Sequence, residues 1–189
     1  LNASELGRSL SITGKTVNSY LDLPCDLLLL RRLPPYFANT RKRLVKSPKV
    51  YVRDSGLLHA LLGIGDFETL GGHPVIGASW EGFAIENILA AAPESTRASF
   101  YRTSAGAEVD LLLELPGSAL PWAIEIKKGT VPKTSRGFHE SLKELNPGKA
   151  FVLYGGGERY PLDETVEAIG LRALCEILSR GGSEESRQR

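Results

Sequence analysis

The chain has no methionine, two cysteines and three histidines in 189 residues. Each scarcity removes a class of function. Cys25 and Cys175 have no metal-ligand spacing and are too few for a disulfide scaffold. His59, His73 and His139 are scattered and receive no role. No apolar run approaches the roughly 20 residues of a membrane helix and the start has no signal-peptide pattern, so no membrane partner and a cytoplasmic setting are expected. Without even an initiator methionine, the sequence is expected to be a fragment of a longer chain. There is no internal repeat. A phosphate-binding loop is missing too. Gly14-Lys15-Thr16 has its last letters, but Ser9 stands where the motif needs glycine, and a helix is predicted where a strand must precede. No ATP site is therefore expected in this stretch.

What remains is an ordinary globular composition, 42% hydrophobic and 24% charged, enough for one domain or two small ones. The net charge of +1 hides an asymmetry. Arg31, Arg32, Arg41, Lys42, Arg43, Lys46, Lys49 and Arg53 fall in a stretch without an acid, which leaves about −7 on the rest of the chain. Arg31, Arg32, Arg41, Lys42, Arg43, Lys46 and Lys49 are candidate contacts for a DNA or RNA backbone. A solvated basic loop is the alternative.

From the N-terminus, Asn2 or Ser4 caps a short helix, and Val17, Tyr20 and Leu21 make the apolar stripe of a second. Strand-patterned runs 27–33 and 49–52 flank the basic loop as a wing would, and Asp54-Ser55 caps a helix over 56–62. Residues 1–62 thus read as a winged-helix-like module, and the Gly-rich stretch 63–76 as a linker. A second module spans 77–180, and a polar tail, 181–189, is expected to be disordered.

The second module opens with a helix over 77–92. At about 100° per residue, Glu81 falls in the same stripe as Ala84, Ile85, Ile88 and Ala92. A carboxylate there needs a metal or a partner such as Arg102, because an unpaired buried charge costs several kcal/mol. Glu86 falls on the solvent side. Two strand-patterned runs follow, 108–114 and 122–127, joined by a Pro- and Gly-containing turn. Reversal between Gly117 and Ser118 places Asp110 opposite Glu125, with Cβ atoms about 5 Å apart. Val109, Leu111 and Leu113 then share one face, and Glu125 and Lys127 share a face. An Asp, a Glu and a Lys meeting this way suggest a hard metal beside an ammonium. A charge ladder on a solvated hairpin is the alternative. Thr134–Leu145 has helical spacing and Ala150–Tyr154 is an apolar strand, which together predict a parallel crossover. A last helix is expected over 171–178. The fold class is α/β (α+β).

Helix with Glu81, strand with Asp110, strand with Glu125-x-Lys127, helix, strand: this order resembles the core of the PD-(D/E)XK, restriction-endonuclease-like superfamily, a mixed sheet flanked by helices. PKVYVRDSGLLHALLG (48–63), GASWEGFAIENIL (77–89), YRTSAGAEVDLLLE (101–114) and AIEIKKG (123–129) are similar to the uncharacterised C-terminal region of a family of prokaryotic AAA+ ATPases. There a winged-helix segment and a nuclease-like domain follow the ATPase domain, which would lie upstream of Leu1. The resemblance implies Glu81, Asp110, Glu125 and Lys127 as catalytic residues. It implies Mg²⁺, with Mn²⁺ as substitute, held by Asp110, Glu125, the Ile126 carbonyl and Glu81. Lys127 would position or activate the attacking water. Three functions follow: a metal-dependent phosphodiesterase on DNA or RNA, an inactive nuclease-like module that binds nucleic acid or a partner, and a structural assembly domain.

Overall fold

The computed structural model describes residues 3–37 and 42–185. Arg41 and residues 186–189 of the expected tail lie outside the described residues. Helix α1 (Ala3–Ser9) turns into α2 (Gly14–Asp26), whose first turn is capped by the Thr13 hydroxyl accepting from Thr16 N at 3.1 Å. Strands β1 (Leu30–Leu33) and β2 (Lys49–Val52) form an antiparallel ribbon, with Leu30 opposite Val52. Residues 27–29, expected in the strand, instead close the end of α2 through Leu27 N to Leu23 O. Asp54 caps α3 (Ser55–Leu61), its Oδ1 accepting from Leu57 N at 2.8 Å. The expected linker contains a helix of its own, α4 (Phe67–Gly72). There the Asp66 carboxylate takes the Thr69 N–H at 2.8 Å and satisfies a first-turn donor.

The remainder builds one six-stranded sheet. Helix α5 (Ile76–Ala91) leads into β3 (Arg97–Arg102), β4 (Glu108–Glu114) and β5 (Trp122–Ile126), an antiparallel series. Helix α6 (Arg136–Leu145) then carries the chain over to β6 (Lys149–Tyr154), parallel to β5 as the crossover pattern predicts. Strands β7 (Tyr160–Pro161) and β8 (Val166–Gly170) complete the order β3-β4-β5-β6-β8-β7, and α7 (Leu171–Glu185) follows, longer than the helix expected to end at 178. The molecule is a mixed α/β structure.

Each face of the sheet is covered. On one, Leu111, Leu113, Ile124, Phe151, Leu153 and Ile169 pack under Ala84, Ile85 and Ile88 of α5 and Leu174 and Leu178 of α7. On the other, Val109, Leu112, Ala123, Val152 and Val166 pack under Phe138 of α6. Gly137 lets α6 come close, since a Cβ there would lie 2.7 Å from Gly106 O. The ribbon joins the α5 face through Leu33 and Tyr51. Its loop is not a free wing. Tyr36 N donates to Phe100 O at 2.6 Å, Val45 N to Arg102 O at 2.9 Å and Ser104 N to Arg43 O at 2.8 Å, so both ends of the loop run along the outer edge of β3.

Candidate functional site

The β4–β5 pairing keeps the register that reversal at Gly117 predicts: Leu111 faces Ile124 and Leu113 faces Trp122. The pairing with β3 carries a break that the sequence pattern does not show. Ser99 faces Leu112 but Tyr101 faces Val109, so Asp110 and Leu111 together oppose the single residue Phe100. This is a β-bulge, which bends a strand and re-aims its side chains. The alternation of Val109, Leu111 and Leu113 on one face is therefore corrected. Val109 packs on the α6 side with Leu112, while Leu111 and Leu113 pack on the α5 side.

The bulge decides where Asp110 goes. Its Oδ1 lies 3.2 Å from Lys49 Nζ, and the same ammonium meets Glu81 Oε1 of α5 at 2.8 Å and Glu108 Oε1 at 2.9 Å. Lys49 thus sits among three carboxylates. Burial alone would lower its pKa, but the charges of Asp110 and Glu81 outweigh burial and hold the ammonium above its ordinary range. The Tyr51 hydroxyl, two residues along the same face of β2, donates to Glu81. Burial, then the Glu81 charge, pushes that phenol up and keeps it protonated. Tyr51 reaches the helix because Gly82 has no side chain; a Cβ there would meet the ring at 3.2 Å. The partner of Glu81 is accordingly Lys49 with Tyr51, not Arg102, which instead lies 3.5 Å from Glu108.

Glu125 turns elsewhere. Ile124 and Ile126 belong to the α5 side, so Glu125 and Lys127 face the N-terminus of α6. Glu125 is 4% exposed, with Oε1 2.7 Å from Lys127 Nζ and Oε2 accepting from Ser135 N at 3.3 Å. One hydrogen bond joins the two halves: Ile126 N, just past the last β4–β5 pair, donates to Asp110 Oδ2 at 2.9 Å. The structure so brings Glu81 to Asp110 and Glu125 to Lys127. Ile126 offers Asp110 its N–H. Trp80 Nε1 closes the far side on Lys127 O at 3.1 Å.

This arrangement does not fit the divalent metal that the resemblance implies. Among the described residues, no group of three or more His, Cys, Asp and Glu side chains could hold a metal ion. The oxygens around Lys49 stand at 2.8–3.2 Å, an ammonium's shell, whereas Mg²⁺ takes oxygens at about 2.0–2.1 Å. Lys49, Tyr51 and Glu108 are the site residues that sequence reasoning did not place here. Their only signal was the alternation of Lys49 and Tyr51 along a strand.

The basic block is largely occupied inside the molecule. Arg31 and Arg53 clasp Glu86, so Glu86 is not on the solvent side; its side chain is 15% exposed. Arg32 pairs with Asp22 at 2.5 Å and Lys42 with Glu144 at 2.7 Å. Arg43 and Lys46 are exposed.

Comparison with known proteins adds relatives without an assigned activity. Residues 1–68 match a domain of unknown function, DUF8612, and residues 76–174, more than half of the chain, match another, DUF4143. Uncharacterized proteins of Mycobacterium bovis and Mycobacterium tuberculosis are each 42% identical over 184 residues, covering 97% of this chain. The chain spans 40% of the length of these relatives. No solved structure matches it. No helix among the described residues is long and apolar enough to cross a membrane. By the extent of the match over the sheet and its helices, the chain belongs to the DUF4143 family.

Proposed function

We propose that the chain is the nuclease-like portion of an ATPase-linked protein, with a phosphodiesterase centre made of Glu81, Asp110, Glu125 and Lys127 and acting on DNA or RNA. Mg²⁺, or Mn²⁺ in its place, is the cofactor that the resemblance implies for such a centre, against the present arrangement, in which the Lys49 ammonium stands between Glu81 and Asp110. The observation that carries this reading is the hydrogen bond from Ile126 N to Asp110 at the bulge, which ties the Glu81–Asp110 pair to the Glu125–Lys127 pair. The four positions that the resemblance implies stand as two pairs, Glu81 with Asp110 around Lys49 and Glu125 with Lys127, and this bond links them. Lys127, 38% exposed against 5% for Glu125, is the member open to a substrate. The helix pair α1–α2 and the β1–β2 ribbon support the winged-helix-like reading of residues 1–62, and Arg43 and Lys46 are its proposed backbone contacts.

The test is metal-dependent cleavage of duplex DNA, single-stranded DNA and RNA by the wild type beside Asp110→Asn and Lys127→Ala. Each variant, folded by circular dichroism, is expected to lose at least about 10²-fold in rate, the usual consequence of removing a group that stabilises developing charge. Variants that cut like the wild type overturn the reading.

A second reading has its own observation. Every one of the four side chains already meets an internal donor or counter-charge, which suits an inactive nuclease-fold module that binds nucleic acid or a partner. Salt-dependent binding without cleavage under any metal selects it.

A further inference from the structure

We propose that Phe37 is a stacking platform for an unpaired base, and that the groove it shares with Arg43 and Lys46 takes single-stranded nucleic acid. The inference rests on the nucleic-acid contact proposed for Arg43 and Lys46 and names the form of ligand that contact receives.

Three observations carry it. The first is the ring itself. Phe37 is 66% exposed, leaving most of an aromatic face in water. Phe67 is barer still at 83%, but it stands between Asp66 and Glu68, acids that would repel a phosphate backbone. Phe37 has the opposite surroundings. The second observation is charge: Lys42, Arg43 and Lys46 line the same groove of about 720 Å³, and no acidic side chain does. Lys42 is matched by Glu144 at 2.7 Å, which leaves Arg43 and Lys46, both exposed, to face an anion. The third is how the groove is held. Tyr36 N donates to Phe100 O, Val45 N to Arg102 O and Ser104 N to Arg43 O, so the segments that carry the ring and the cations are both fixed to the edge of β3. They are in place before a ligand arrives, which lowers the ordering cost of binding.

A single strand offers what this arrangement can use, the π-face of a base for the ring and phosphates for the cations. A duplex offers only the phosphates, since its bases are already stacked on one another. A peptide adding itself as a strand has no place here, because the β3 groups it would pair with are taken. The volume falls within the roughly 300–1,000 Å³ of small-ligand sites and suits about one or two nucleotides.

The experiment is fluorescence anisotropy of the intact chain with labelled oligothymidine of about 12 nucleotides, an abasic strand of the same length and a duplex, without divalent metal so that cleavage plays no part. The chains compared are the wild type, Phe37→Ala, Phe37→Trp and Arg43→Ala/Lys46→Ala. Phe37→Ala, at an exposed position, is expected to melt with the wild type and to bind oligothymidine at least about fivefold more weakly, the loss of one stacked base. Its affinity for the abasic strand and the duplex is expected to stay, and Phe37→Trp is expected to bind oligothymidine as the wild type does. The double variant is expected to weaken on all three probes, because it removes charge. If Phe37→Ala binds oligothymidine like the wild type, the platform is overturned while the Arg43 and Lys46 contact stands. A loss of equal size on the abasic strand overturns the platform as well. So does an oligoglutamate peptide that binds the wild type as tightly as oligothymidine, which would mark the groove as a site for acidic protein. A wild type that binds none of the nucleic acids removes both the platform and the contact beneath it.

Discussion

Glu86 illustrates how one carboxylate can organise a docking face. Burial would raise its pKa, but hydrogen bonds and charge from Arg31 and Arg53 outweigh burial and hold it below its ordinary value of 4.5. A carboxyl depressed in the folded state contributes stability that is present above its unfolded pKa and is lost as pH falls through the folded one. The midpoint of urea unfolding should therefore drop more steeply between about pH 5 and pH 3 in the wild type than in Glu86→Gln. Parallel curves would refute this. At neutral pH, Glu86→Ala leaves two part-buried guanidinium groups without their acceptor, and an expected loss of about 1–3 kcal/mol in urea unfolding checks that cost. Position on a helical wheel placed Glu86 towards solvent, and on α5 alone that was reasonable. What covers it is a ribbon contributed by residues more than 30 positions earlier, a contact that periodicity within one helix does not contain.

At the scale of elements, α6 shows how a helix start serves the site. The Ser135 hydroxyl accepts from Phe138 N at 3.0 Å, while the Ser135 N–H reaches Glu125. Ser135→Ala should lower stability by about 1 kcal/mol through the lost cap, measured by chemical denaturation. It should leave Glu125 held, because the backbone donor remains. Elements whose pattern is carried in their own residues were legible: α5 from its apolar stripe, α3 from Asp54, the β4–β5 register from the turn at Gly117, and the β5–α6–β6 crossover from spacing. Strands β3, β7 and β8 were not read, nor was α4. Strand β7 has two residues and α4 six, too short for a period to register. The bulge was invisible for a different reason. It is a property of the match between β3 and β4, and no count within β4 reveals that Phe100 faces two residues. Four side chains of the candidate site were read from sequence, but the turning of Asp110 towards Lys49 and away from Glu125 follows from that bulge.

At the scale of the whole molecule, the distribution of charge differs from its distribution along the chain. A run of eight basic residues suggests a broad phosphate-binding surface, yet Arg31, Arg32, Lys42, Lys49 and Arg53 are matched with acids of the protein. If the exposed pair Arg43 and Lys46 makes the backbone contacts, the affinity for duplex DNA should fall with salt at a log–log slope of about −2, since each phosphate neutralised contributes about −0.9. A slope near −6 or steeper, measured by fluorescence anisotropy across a salt series, would mean that the internal pairs open on binding. Arg43→Ala with Lys46→Ala should then weaken binding without lowering the melting temperature, whereas Arg31→Ala should lower it.

The stitching of residues 34–36 and 43–45 along β3 has one more consequence. An outermost strand with bare N–H and C=O groups is an open template for another chain. Here Phe100 and Arg102 already give their outer carbonyls to Tyr36 and Val45, and Phe100 N is taken by Pro34 O. At the opposite margin, β7 is two residues long and one of them is Pro161, which has no N–H to offer. A sheet finished at both margins in this way resists joining others edge to edge. It also leaves no berth for a peptide that would bind by adding a strand.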